Sequence, residues 1–156
     1  MKMMLVLLLA LASLLVVGSL GPVYADQVFH TTHLNFILTG DGAAAGHPQL
    51  TAGQVVDIHA SGPTIGAIEQ YMINGAKPDT TYQVVLRIFS QCGGSFLMPI
   101  PTATLNTDSV GFAHGDFVFT EANLAPFEGA SVGVLWTLVS STVTAYDTQC
   151  IPVTIG

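Results

Sequence analysis

Positive charge is almost missing from this chain. Of 156 residues only three are Lys or Arg, against ten Asp or Glu. A phosphate backbone or an anionic lipid surface is recognised by clustered lysine and arginine, so nucleic acid is excluded as a default partner and electrostatic membrane attachment is equally poor. Cysteine is scarce too. Cys92 and Cys150 are the two, and no C-x-x-C pair suggests a metal site built on thiolates. The sequence holds no Asn-x-Ser/Thr acceptor, no D-x-D-x-D run and no cofactor fingerprint, which removes N-glycosylation, clustered-carboxylate calcium binding and a bound cofactor from the expectations. Disorder is excluded from the other side, because half the residues are hydrophobic and 8% are charged.

What is present begins with an address. Lys2 supplies a short positive start, and Met3 to Val17 is almost unbroken aliphatic sequence. Gly18, Ser19, Gly21 and Pro22 then break the helix, and Val23-Tyr24-Ala25 sets small residues before a cut. That is the layout of a secretory signal peptide over residues 1–25, with Asp26 as the first mature residue. The apolar run approaches the ~18–20 residues that span a bilayer, so an uncleaved anchor is the competing reading. No later segment is apolar for long enough to cross a membrane, and no membrane contact is expected once the leader is removed.

Residues 26–156 are then one exported domain, with 2 basic and 10 acidic side chains and a formal charge of −8. Lys77 and Arg87 are its cations. Export also gives the cysteines a meaning: outside the cytosol an even pair favours a Cys92–Cys150 disulfide. Closing a loop of that length stabilises by roughly 4 kcal/mol in the chain-entropy model.

Period-two alternation dominates the domain. Val28, His30, Thr32, Leu34, Phe36 and Leu38 share one face of a long opening strand, with His33 and Asn35 on the other. Gly40-Asp41-Gly42 stops it and Ala43 to Pro48 reads as a small-residue loop. Val55 to Ala60 is a strand with Val56, Ile58 and Ala60 inward and Asp57 and His59 outward. A third strand runs from Ile68 to Ile73, ended by Asn74-Gly75. In Tyr82 to Ser90 the stripe Tyr82, Val84, Leu86, Ile88 is set against Gln83, Val85, Arg87, Phe89. Thr102 to Leu105 and Phe112 to Thr120 form a hairpin about a polar turn, and Val132 to Ser140 is apolar on both faces, as a central strand is. Thr142 to Ile155 supplies the closing strands, and only Glu121 to Phe127 suits a helical turn. About seven to nine short strands with tight turns and no helical crossovers specify an all-β, two-sheet antiparallel sandwich.

Within it, Lys77-Pro78-Asp79-Thr80-Thr81-Tyr82-Gln83-Val84-Val85-Leu86 resembles the P-x-T-x-Y-x-V-x-V/L signature of fibronectin type III and related immunoglobulin-like domains. The resemblance implies an immunoglobulin-like sandwich in which Pro78 and Thr80 shape the loop entering a strand. Tyr82 would then be a tyrosine corner whose hydroxyl bonds back to upstream backbone. The early-strand Trp of those domains is missing, since Trp136 lies late in the chain, and Ala76 stands where they usually carry Leu.

Candidate chemistry is sparse. Asp57, His59 and Ser61 put acid, base and nucleophile in one line, but residues two apart on a strand lie about 6.6–6.8 Å apart, so the three are expected to line a solvated ladder rather than converge. His33 and His59 are expected to face outward on neighbouring strands, and with His114 or His47 they are the candidate ligands of a copper or zinc site. His30 and His33 fall on opposite faces and cannot chelate one ion without a bulge. Asp41, Asp79 and Asp108 read as turn residues. Val85 and Phe89 make a second apolar face on their strand. With Phe96 and Met98 of the proline-broken loop 91–101, they are the candidate binding patch, unless that loop covers them.

The expectation is a secreted, non-enzymatic module that binds or assembles with a protein or cell-envelope partner. The alternative is an extracytoplasmic histidine-based metal-binding protein. The leader is directly testable: intact-mass measurement of the exported protein is expected to give a chain beginning at Asp26, and a mass retaining residues 1–25 identifies an anchor instead.

Overall fold

The computed structural model describes residues 29–60 and 66–155. The leader, Val28 and Ser61 lie outside the described residues, as do the side chains of His30 and Ala60. The described chain is all-β, ten strands in two antiparallel sheets, one more than the upper end of the seven to nine that the sequence pattern suggests. One layer orders Phe29–Asn35 (β1), Ala52–Ala60 (β3), Ala67–Asn74 (β4) and Ala113–Phe119 (β7) as β1-β3-β4-β7. The other holds Ile37–Leu38 (β2), Thr81–Phe89 (β5), Phe96–Asn106 (β6), Ser131–Ser140 (β8), Val143–Asp147 (β9) and Ile151–Thr154 (β10). Its order is β2-β9-β8-β5-β6, with β10 also pairing with β8.

Three elements depart from the sequence pattern. The long opening strand breaks at Phe36, so β1 joins the four-stranded layer while β2 pairs with β9 in the other. Gly40–Ala44 is a short helix rather than a loop: Thr39 caps it, accepting from the Gly42 N–H at 2.8 Å. Most of the 91–101 segment is not a loop. It is the start of β6, an edge strand carrying Pro99 and Pro101, and an edge is where a β-ladder tolerates proline.

The core lies between the layers. Tyr82, Val84 and Ile88 of β5 are fully buried and Leu86 nearly so, facing Val55, Tyr71 and Ile73 of the opposite layer. Gly133 shows why β8 carries a glycine in mid-strand: a Cβ there would lie 2.4 Å from the Cys92 nitrogen, so the β5–β6 turn rests directly on the outer side of β8. Gly111, at φ +79°, closes the β6–β7 turn against Ala76, whose carbonyl oxygen would be 2.0 Å from an added Cβ.

The Cys92–Cys150 disulfide is formed and ties that turn to the β9–β10 connection across the outer side of the six-stranded layer. It closes a loop of sequence separation 58. Replacing both cysteines by serine is expected to lower unfolding free energy by about 4 kcal/mol, read from denaturant titration. A loss under about 1 kcal/mol would mean that the turn is held by packing alone.

Candidate functional site

The predicted binding patch is divided by the pleat. Val85, Arg87 and Phe89 do face outward on β5, and Phe89 pairs with Phe96 across the β5–β6 ladder, ring centroids 5.6 Å apart. The Arg87 guanidinium lies 5.1 Å over the Phe96 ring and 5.6 Å from that of Phe89. Met98 does not join them. Its register partner is Ile88, so it turns inward and packs on the core. Leu97, at the register shift, takes the exposed place beside Phe96, each 47% exposed.

The candidate metal ligands are not brought together. His33 faces outward on β1 and His114 outward on β7, the two edges of the four-stranded layer, three strand spacings or roughly 14 Å apart. His59 is on the inner face, in register with Val55 and Asp57 along β3. The parity reading of β3 is thus reversed. Val56 and Ile58 point outward and Asp57 inward, because Val55 and Asp57 pair with Tyr71 and Glu69, the inward residues of β4. His47 is buried elsewhere, its Nδ1 2.9 Å from the Tyr82 hydroxyl and its ring against Tyr82 and Tyr146. Burial, then Lys77, pushes its pKa down. Among the described residues no three His, Cys, Asp or Glu side chains are grouped to hold a metal ion.

Around Tyr82, Thr80 Oγ1 donates to the Pro78 carbonyl at 2.8 Å, and the tyrosine ring is fully buried. Its hydroxyl meets His47 Nδ1.

The sequence reading missed the acidic interior. Asp57 is 9% exposed and Glu69, opposite it on β4, 1%. Tyr71 donates to Glu69 Oε2, and its hydroxyl also meets Thr102 Oγ1 at 2.8 Å. Burial is the main reason the Glu69 carboxyl is pushed up to about 8, with Asp57 adding repulsion and Tyr71 and Trp136 opposing the shift. Asp57 is raised by burial too, held back by His59, whose Nδ1 lies 3.2 Å from Asp57 Oδ2. Acid and base two apart on one strand therefore do meet here. The imidazole leans along the strand, which the ladder argument did not allow.

The indole of Trp136 completes this wall from the other layer. The residue is 2% exposed, and its Nε1 is close enough to favour ionised Glu69 yet makes no directed hydrogen bond. Only the alternation Glu69, Tyr71, Ile73 hinted at an inward glutamate. Comparison with protein-family models, curated proteins and solved structures finds no match to this chain.

The raised carboxyl has a thermodynamic consequence. Folded Glu69 keeps its proton to about pH 8, whereas an unfolded glutamate releases it near 4.5, so the folded state binds more protons between those values and stability falls as pH rises through that window. Asp57 acts in the same sense. The melting temperature is expected to drop by roughly 5–10 °C from pH 5 to pH 8.5. Glu69→Gln is expected to flatten most of that slope, and an equally steep slope in the variant would place the titration elsewhere.

Proposed function

We propose that this is an exported, non-enzymatic binding module of immunoglobulin-like architecture that engages a protein or cell-envelope partner. The strand order supports the architecture. β3, β4 and β7 stacked against β9, β8, β5 and β6 follow the arrangement of strands A, B and E against G, F, C and C′, with hairpins at β5–β6 and β8–β9 where C–C′ and F–G would lie. Two features set this chain apart from that pattern. Tyr82 opens β5, the C position, whereas a tyrosine corner opens strand F, which here is β8. The disulfide lies on the outer side of one layer rather than between the layers. It supports export, because such bridges persist outside the reducing cytosol.

The observation that carries the binding role is the β5–β6 edge. There Phe96 and Leu97 are each 47% exposed beside Arg87, one of two cations in residues 26–156. Exposed aromatic side chains stacked with arginine are the composition enriched at protein interfaces. Pro99 and Pro101 withhold backbone donors from this strand, so recognition there runs through side chains more than through an added strand.

A double substitution, Phe96→Glu with Leu97→Glu, is expected to weaken capture of the partner from the extracellular or envelope fraction by roughly thirtyfold, the loss of one strong interface anchor. The melting curve should remain cooperative with only a small downward shift, since both side chains are half exposed and Phe96 gives up its contacts with Phe89 and Arg87. Equal capture by both forms, with a monomeric sedimentation profile, would remove the role from this edge.

A further inference from the structure

A cavity of about 330 Å³ opens between the layers, at a separate place from the β5–β6 edge. Its polar wall is Asp57, His59 and Glu69 of the four-stranded layer; its apolar wall includes Ile88 and Val134, with Ile151 and Val153 of β10 along one side. Trp136 stands between the two kinds of surface. His59, whose side chain is 41% exposed, marks where the cavity meets solvent. The volume falls within the ~300–1,000 Å³ of small-molecule sites, and such sites pair apolar walls with a few converging polar groups.

The chemistry of the walls selects the ligand. Two carboxyls face each other across β3 and β4, and among the described residues no Lys or Arg lines the cavity to compensate them. A carboxylate ligand meets like charge here, and a polyhydroxylated one meets too few polar partners along the apolar wall. Asp57, His59 and Glu69 are not grouped closely enough to hold a metal ion among the described residues. Trp136 adds an independent sign. Its buried Nε1–H is the one buried side-chain polar atom without a partner among the described residues, and it stands beside a carboxyl that keeps its proton. A donor left over next to a neutral acid becomes useful when that acid ionises, because a buried carboxylate needs several donors.

We infer that the cavity binds a small amine with an apolar body, its ammonium held between the Asp57 and Glu69 carboxylates and its hydrocarbon part against Ile88, Val134 and Val153. On binding, Glu69 gives its proton to solvent, and the resulting carboxylate accepts from Tyr71, from the Trp136 indole and from the ammonium. The titratable groups facing Glu69 are Asp57 on β3 and Tyr71 on β4, with His59 acting through Asp57. From the six-stranded layer only Trp136 acts on it, and that group does not titrate. One proton leaves per amine bound below the carboxyl's own pKa, so affinity rises with pH until that value is passed.

Trp136 is the single tryptophan of the chain, so its fluorescence and its one indole N–H resonance report on this site alone. Titration of the oxidised protein with 2-phenylethylamine, 2-phenylethanol and phenylacetate is the test. The amine is expected to saturate and to shift the indole resonance. The alcohol should bind roughly tenfold more weakly or worse, and phenylacetate not at all. Amine affinity should be roughly fiftyfold tighter at pH 8 than at pH 6, because the Glu69 carboxyl passes from almost wholly protonated to half ionised over that range. Glu69→Gln should abolish that pH dependence and weaken binding about tenfold, with its melting curve recorded to confirm folding. Val153→Phe, which narrows the cavity and leaves both carboxyls in place, should also weaken the amine. The inference is overturned if alcohol and amine bind equally, if a folded Glu69→Gln binds like the parent, or if no probe saturates below about 10 mM.

Discussion

Burying a carboxyl opposite another carboxyl is the constraint on which the rest of this sandwich turns. An ionised group taken out of water costs several kcal/mol unless it is matched by opposite charge, and the domain has almost none to offer. Glu69 meets that cost by keeping its proton and by accepting from Tyr71, and Asp57 by leaning on His59. Both solutions depend on the β3–β4 register. With β3 fixed, a slip of one residue in β4 would send Glu69 and Tyr71 to solvent and turn Gln70 and Met72 inward, leaving Asp57 without its partner. The fully buried Val55–Tyr71 pair, one step further along the same ladder, opposes that slip, so an apolar contact holds the polar pair in place.

The two layers divide their tasks between faces. Inside, the stripe of β5 and the alternate residues of β8 supply most of the apolar mass, and the acidic wall sits where that mass thins toward β10. Outside, the six-stranded layer is part covered and part bare. The β5–β6 turn rests on Gly133 and is bonded through Cys92 to Cys150, while beyond it Phe96 and Leu97 remain in solvent. The disulfide thus ties the turn that leads into the aromatic edge to the β9–β10 connection.

Much of the layer architecture was legible in the sequence because burial and polarity agree along its central strands. Tyr82, Val84, Leu86 and Ile88 could belong only to an interior stripe, and Val132 to Ser140, apolar on both faces, only to a central strand. The failures fall where local pattern and tertiary packing disagree. In β3 the run Val55-Val56-Asp57-Ile58 offers an apolar residue to either face, and hydropathy alone favours the one that puts Asp57 in water. Pairing with β4, whose inward Tyr71 and Ile73 leave no choice, decides the other way. Proline concealed β6 because Pro99 and Pro101 read as breakers, whereas an edge strand can spare their donors. The cavity had no sequence signature at all. Its residues come from several strands of both layers, among them β3 and β4 of one and β5, β8 and β10 of the other, and only the stacking of the layers brings them within reach of one another.

The break at Phe36 has a mechanical meaning. Phe36 is buried, its N–H donates to the Gly53 carbonyl at 2.9 Å, and on either side of it the chain belongs to a different sheet. This one segment closes the open flank of β3 with β1 and that of β9 with the two residues of β2. Such a clasp couples the margins of both layers. Lifting it would bare two rows of unpaired amides and carbonyls together, the kind of edge on which a further strand can pair.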